Sequence, residues 1–184
     1  MGSLKYSELT AVIRCPVDQM PLVWNGVFFV EPTSGRQYPE SGGIIDLVVE
    51  GERDDDLGDA NHYDKHPFEF IDWADERWVS DAVEPELKRF LEKIPKDALI
   101  CDIGCGPGRV TAYLGAKGWC RVLALDYSRL SLEIARKNVS FPVIRANNLK
   151  LPLESDSVDA VISTGVIHHT PNPLKALSEN CRVL

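Results

Sequence analysis

The sequence predicts an α/β protein built on a doubly wound parallel sheet, and three observations support this prediction. Residues 98–101 and 122–125 are short apolar runs of the kind that forms strands buried on both faces of a parallel sheet. Three glycines at alternate positions of 104–108 follow the first run, and an amphipathic pattern typical of a helix separates the two runs. Strand, glycine turn, helix and strand in this order predict a βαβ unit of a Rossmann-like sheet.

The turn after the first strand carries a pattern that indicates a ligand. Asp102 ends the first apolar run, Gly104, Gly106 and Gly108 follow it, and Asp126 ends the second run. Glycines at this spacing let a ligand approach main-chain N–H groups, and an acid after the second strand is placed to hold a ribose diol. The alternative is a purely structural turn. The four features in the required order favour a nucleotide site.

The segment 102–108, D-I-G-C-G-P-G, resembles motif I of the class I S-adenosylmethionine-dependent methyltransferases. A dinucleotide fingerprint would need its third glycine at Arg109, so a dehydrogenase is a weak alternative. The resemblance implies S-adenosylmethionine as the cofactor, with Asp102 near its methionine end and Asp126, followed by Tyr127, near the ribose. The expected contacts from the glycine loop are Gly104, Cys105, Gly106 and Gly108.

Residues 146–184 resemble the same family, in its ubiquinone- and menaquinone-biosynthesis-like branch. Asn147 stands where the adenine-contacting turn usually has aspartate, and its amide carbonyl can accept a hydrogen bond from the adenine amino group. Asn148 and Leu149 complete the adenine contacts that the resemblance implies.

His168 and His169 follow the predicted fourth strand, at 158–163, on the side where such a sheet opens into its cleft. Imidazole transfers protons near neutral pH, so both are candidate catalytic residues. A structural role or a place in the pocket wall is about equally compatible with the sequence. The family's sheet has seven strands and four are predicted here, so a truncated sheet is expected, with its exposed edge covered by a protein partner or a second copy.

Residues 1–50 predict a small β-rich module, because Asn25-Gly26 between apolar runs is a strong hairpin signal. The module resembles the zinc-ribbon-like activators of RNA and release-factor methyltransferases. Asp18 replaces the second cysteine of their C-P-x-C motif, however, and a zinc site needs about four ligands. We therefore predict no metal, and a buried, apolar role for Cys15.

Two further segments complete the predicted domain organisation. Residues 51–61 are acidic and polar and are predicted to be a linker, followed by the cofactor-binding domain at 62–184. Helices are predicted after Pro67 and from Pro85, the second with Phe90 on its buried stripe. Three residues are candidate lid or acceptor contacts: Tyr63, His66 and Trp73. The simpler interpretation is that the two aromatic residues belong to the core and that the histidine lies on the surface.

Charge restricts the expected partners. Residues 1–97 hold 10 basic and 21 acidic side chains and residues 98–184 hold 10 and 7, for a net charge of −8. Such an acidic N-terminal half disfavours binding of a nucleic acid, unless a partner supplies a basic surface. The charge therefore favours a small-molecule acceptor. The five cysteines lack metal or redox spacing and no apolar run could span a membrane, which indicates a cytoplasmic protein. We expect a methyltransferase; the alternative is a non-catalytic module that binds the cofactor or a partner.

Overall fold

The structure is a computed structural model that describes residues 4–49 and 83–184. Its strands are β1 (Val23–Trp24), β2 (Phe28–Val30), β3 (Gln37–Ser41), β4 (Ile44–Asp46), β5 (Ile100–Ile103), β6 (Val122–Asp126), β7 (Val143–Arg145) and β8 (Ala160–Ile162). Its helices are α1 (Tyr6–Leu9), α2 (Pro85–Leu91), α3 (Arg109–Ala116), α4 (Arg129–Asn138) and α5 (Pro173–Val183), with a 3-10 turn at Ile167–His169. Within the described residues, one mixed sheet has the order β1-β2-β3-β4-β7-β6-β5-β8. The predicted α/β fold with a Rossmann-like sheet is confirmed.

The central strands β7, β6, β5 and β8 are parallel, and their alternate side chains enter two different cores. Cys101 and Leu123 belong to the core on one face, whereas Ile100 and Val122 belong to the core on the other. Both faces are therefore covered, as a doubly wound sheet requires. The second core is completed by α2, α3 and α4, and the first by α5 and the N-terminal segment.

The N-terminal strands continue the central sheet. β4 runs parallel to β7, with Ile44 opposite Val143 and Ile45 opposite Ile144. β1, β2 and β3 then extend the sheet as antiparallel strands. The predicted domain boundaries at residues 50 and 62 stay a prediction, because the residues between them lie outside the described ranges.

The predicted hairpin at Asn25-Gly26 is present between β1 and β2. The Asn25 side-chain oxygen accepts hydrogen bonds from the backbone N–H of Val27 at 3.0 Å and of Phe28 at 2.8 Å. Gly26 adopts a φ of 100°, which glycine reaches at little cost. Local turn chemistry thus sets the register of the hairpin, in which Trp24 pairs with Phe29.

The predicted starts of α4 and α2 are confirmed, but the predicted burial of Phe90 on α2 is wrong. The Ser128 hydroxyl accepts a hydrogen bond from the Ser131 N–H at 3.2 Å and caps α4. Pro85 begins α2, and Leu91 is fully buried at its end. Phe90, expected on the buried stripe, is 49% exposed, because this short helix turns only one narrow face toward the sheet.

Several sequence predictions lie outside the described residues: the linker at 51–61, the helix after Pro67, and the candidate lid residues Tyr63, His66 and Trp73. Within the described part, β8 pairs with β5 and ends the sheet, which agrees with the exposed edge predicted for the fourth strand. The described helices include none that is long and apolar enough to cross a bilayer.

Candidate functional site

A cavity of about 620 Å³ lies at the carboxyl ends of β5, β6 and β7, where the loops after these strands meet. Its size is within the range of small-molecule and cofactor sites. The predicted site residues that line it are Asp102, Gly104, Cys105, Gly106, Asp126, Tyr127, Asn147, Asn148, Leu149, His168 and His169. The topology therefore brings together residues that the sequence places up to 67 positions apart (102 to 169).

Gly108 is the exception, since it does not line the cavity. It is buried at the start of α3 with a φ of 88°, and a Cβ there would lie 3.2 Å from the Ala135 Cβ. Gly108 thus permits close packing of α3 against α4, and its expected role as a cofactor contact stays a prediction. Arg109, which sequence analysis treated only as the residue that breaks a dinucleotide fingerprint, does line the cavity.

The glycine loop is fastened to the end of β6. The backbone N–H groups of Gly104 and Cys105 donate to the Leu125 carbonyl at 2.7 and 2.9 Å, and the Gly106 N–H donates to Asp126 Oδ2 at 2.8 Å. Gly106 has a φ of 53°, and a Cβ at this position would meet no protein atom within 4 Å. The loop thus leaves space beside its backbone, on the wall of the cavity.

Asp126 organises the loops on both sides of it. Its Oδ2 accepts from Gly106 and its Oδ1 accepts from the Ser128 N–H, both at 2.8 Å. The Asp126 carboxylate therefore ties the glycine loop to the start of α4.

Asp102 is buried beneath the glycine loop, where it is 2% exposed. Burial raises the pKa of its carboxyl to about 6; the hydrogen bond from the Thr111 hydroxyl to Oδ2, at 2.6 Å, opposes this shift, and the negative charge of Asp126 adds to it. A positive ligand group beside Asp102 would favour the ionised form. The buried carboxylate would therefore attract a cationic group of a ligand at this end of the cavity.

The raised pKa of Asp102 predicts a pH-dependent stability. Folding favours the protonated Asp102 carboxyl. Its contribution to the free energy of unfolding is therefore fully present below about pH 4 and is lost as the pH rises to about 6. Asp102→Asn removes this titration. In urea unfolding from pH 4 to 7, we expect the stability of the wild-type chain to fall by about 3 kcal/mol relative to that of the variant. A constant difference between the two proteins would contradict the assignment.

The turn after β7 carries two neighbouring asparagines whose side-chain amides differ in their hydrogen bonding. The Asn147 side-chain oxygen accepts a hydrogen bond from the Leu149 N–H at 2.8 Å and so stabilises the turn itself. Both polar atoms of the Asn148 amide are buried without a hydrogen-bond partner among the described residues. A buried, unsatisfied amide on a cavity wall is costly unless a ligand or water completes its hydrogen bonds. Asn148 therefore has the stronger claim to a ligand contact.

His168 and His169 lie on the 3-10 turn after β8, at the opposite wall of the cavity. Their ring centroids are 4.0 Å apart, with the planes tilted by 42°. The backbone N–H of His169 donates to the Val166 carbonyl at 2.9 Å, which closes the turn. The two imidazoles form part of the cavity wall on this side.

The N-terminal C-P-x-D segment forms a polar cluster of its own. The Cys15 thiol is fully buried, and its sulfur lies 3.1 Å from the Tyr38 hydroxyl. Asp18 Oδ2 accepts from Arg36 Nη1 at 2.5 Å. The described ranges contain no group of three or more histidine, cysteine or acidic side chains that could hold a metal ion. Hydrogen bonds and an ion pair thus stabilise this part of the segment.

Comparison with known proteins finds similarity in the part of the chain that forms the cavity. Residues 101–184 match the family model described as "Methyltransferase domain". The mouse protein named "Probable tRNA methyltransferase 9B" is 36% identical over 118 residues, which are 62% of this chain and 24% of that protein. An uncharacterised chloroplastic methyltransferase of Arabidopsis thaliana is 28% identical in an alignment that covers 96% of this chain and 60% of that protein. The chain thus spans less than two thirds of these relatives.

Two solved structures support the fold. One, assigned to the S-adenosylmethionine-dependent methyltransferases of Methanococcus maripaludis, has a TM-score of 0.52 and 21% identity and covers 74% of this chain and 63% of its own. The other is from the complex between the Trm112 methyltransferase activator of Haloferax volcanii and a methyltransferase, with a TM-score of 0.51, 22% identity, and coverage of 69% and 56%. At these identities the likeness extends to the fold alone.

Proposed function

We propose that this chain catalyses methyl transfer from S-adenosylmethionine to an acceptor, because residues 101–184 match the model of a methyltransferase domain. The observation that carries the proposal is the hydrogen bond of 2.8 Å between the Gly106 N–H and Asp126. It joins the glycine loop to the acid of the next strand on one wall of the cavity. These are the parts that a nucleoside with a charged tail requires.

The residues of the cavity fit S-adenosylmethionine from end to end. The cofactor's ammonium and sulfonium groups are cations, and Asp102 offers a buried carboxylate beside the glycine loop. We assign the ribose hydroxyls to the Asp126 carboxylate, which can accept hydrogen bonds from both. The open space beside Gly106 admits a ligand close to the backbone.

We assign the adenine end to the turn after β7. The Asn148 side chain has an NH2 group that donates and a carbonyl oxygen that accepts, and these groups can pair with the ring-nitrogen acceptors and the amino donor of adenine. Leu149 lines the same wall and can pack against the base. Asn147 supports the turn, since its side-chain oxygen accepts from the Leu149 N–H, and we assign it a second contact with the adenine.

The acceptor side of the cavity is assigned to His168 and His169. Bound S-adenosylmethionine supplies an electrophilic methyl group on a sulfonium centre. The protein's main contribution is then to orient the acceptor atom in line with that methyl, because correct positioning alone is worth several kcal/mol. Either imidazole can also remove a proton from the acceptor. The role of these two residues is part of the proposal.

For the acceptor, we propose a small molecule, because the N-terminal half of the chain is strongly acidic. A tRNA acceptor is the second candidate, favoured by the names of relatives such as the mouse protein called tRNA (carboxymethyluridine(34)-5-O)-methyltransferase, 34% identical over 103 residues. An RNA substrate would need a basic surface from a partner or from further chain. A non-catalytic module that binds the cofactor remains the alternative to an enzyme.

Calorimetric titration with S-adenosylhomocysteine tests the proposed cofactor site. We expect micromolar binding by the wild-type chain and an affinity about 100-fold weaker for Asp126→Ala, because two charge-assisted hydrogen bonds to the ribose are lost. Asp159→Ala is the matched control: its Oδ2 accepts from the Leu99 N–H at 2.7 Å, at the other end of β5. No binding by the folded wild-type chain, or equal losses in both variants, would refute the assignment.

A further inference from the structure

We propose that residues 4–49 form a built-in clamp that holds the nucleoside side of the cavity in place, and that Asp46 is its main positioning residue. The inference rests on the proposed cofactor site and extends it to residues that do not touch the cofactor. Two independent sets of contacts connect this segment to the cavity wall. One reaches residues 126–129 and the other reaches residues 150–154.

The first set of contacts centres on Asp46 at the end of β4. Its Oδ2 lies 3.3 Å from Arg145 Nη1 and 3.7 Å from Arg129 Nη1. Arg145 in turn donates from Nε to the Tyr127 carbonyl at 2.9 Å, and its guanidinium lies over the Tyr127 ring, 5.1 Å from the centroid. Asp46 therefore orients the arginine that supports Tyr127, a residue of the cavity wall.

The second set of contacts joins the N-terminal segment to the chain just beyond the adenine turn. The Arg14 N–H donates to the Pro152 carbonyl at 2.8 Å, and the Glu154 N–H donates to the Val12 carbonyl at 2.8 Å. The Arg14 guanidinium also forms an ion pair with Glu154. These bonds fix residues 150–154, and so they limit the movement of Asn148 and Leu149 immediately before them.

The Asp46 contacts are stronger candidates for positioning than ordinary surface ion pairs. Asp46 and Arg145 are only 20% and 22% exposed, and one carboxylate serves two arginines. Shielding from solvent and membership of a network both increase the worth of an ion pair. Asp46 Oδ1 also accepts from the Val48 N–H at 3.2 Å, which fixes the carboxylate itself. Neutralising Asp46 should loosen Arg145, and with it Tyr127, without opening the core.

Hydrogen exchange of the full chain without ligand tests the clamp directly. In Asp46→Asn, we expect amides at 126–129 and 145–147 to exchange at least about 5-fold faster than in the wild type. In Glu154→Gln, which breaks the pair with Arg14, the faster exchange should be at 148–154. Asp18→Asn is the matched control: Asp18 also accepts from a backbone N–H two residues ahead and from an arginine, Arg36, but it does not support the cavity wall. Equal exchange in Asp46→Asn and Asp18→Asn would overturn the clamp.

Titration of the same proteins then separates the clamp from the proposed function. We expect Asp46→Asn to weaken both S-adenosylhomocysteine and adenosine by about 5- to 10-fold, because the clamp acts on the nucleoside half. Asp18→Asn should bind like the wild type. Unchanged affinity in Asp46→Asn would also overturn the proposal. If the exchange results are as expected but the wild type binds neither ligand, the clamp is supported as a structural device and the proposed cofactor is refuted.

Discussion

Gly106→Val is expected to weaken S-adenosylhomocysteine binding by more than about 100-fold while the chain stays folded. The position lines the cavity, and a Cβ there would meet no protein atom within 4 Å, so the valine methyls have only the ligand's space to occupy. A clash with the ligand is not relieved by small movements of a loop tied to Asp126. The measurement is calorimetric titration, with circular dichroism to confirm the fold.

The matched control for Gly106→Val is Gly118→Val. Gly118 also has a positive φ, 92°, and also has open space around it, but it lies beyond the end of α3, away from the cavity. Both variants carry a backbone strain of about 1–2 kcal/mol, so both should lower the denaturation midpoint. Only Gly106→Val should lose binding. Tight binding by Gly106→Val would mean that the ligand does not pass beside this loop.

Gly104→Ala is expected to produce the largest loss of stability, about 2–5 kcal/mol. Gly104 has a φ of 73°, and a Cβ there would lie 2.9 Å from the Val166 Cβ, with both valine methyls closer still. Strain in the left-handed region adds about 1–2 kcal/mol, and overpacking against a stiff β-branched side chain adds about 1–3 kcal/mol. Urea unfolding of the variant and the wild type measures the difference.

A double variant identifies the source of that loss. Val166→Gly removes all the side-chain atoms that the new methyl would meet, so Gly104→Ala should cost about 1–3 kcal/mol less in its presence. The strain from the positive φ remains. If Gly104→Ala costs the same in both backgrounds, the contact with Val166 is not its cause, and the loop after β8 lies farther from the glycine turn.

The sequence predicted the elements whose causes are local. The glycine turn, the Ser128 cap and the Asn25-Gly26 hairpin depend on backbone preferences within a few residues, and the structure has all three. The convergence of Asp102 and Asp126 was also predictable, because parallel strands place their carboxyl ends at one edge of the sheet.

Features that depend on distant contacts were not predictable from local pattern. Gly108 belongs to the glycine motif in the sequence, but it is not among the residues that line the cavity. A Cβ at this position would lie next to Ala135 of α4. Asn147 and Asn148 are identical in type, and only the fold shows which amide the turn has already satisfied. Asp46 and Arg145, which form an ion pair, are 99 positions apart in the sequence. Hydrophobic periodicity predicts local elements and does not predict a contact between residues so far apart.

The parallel pairing of β4 with β7 also has a consequence for synthesis on the ribosome. Ile44 and Ile45 are buried in the finished sheet, but their partners, Val143 and Ile144, are made about 100 residues later. At about 5–20 residues per second, the N-terminal segment waits about 5–20 s with an apolar strand exposed. Closing so long a loop is entropically unfavourable until the central strands exist. The clamp is therefore translated before the central strands on which it docks, and its parallel pairing with β7 forms only after that interval.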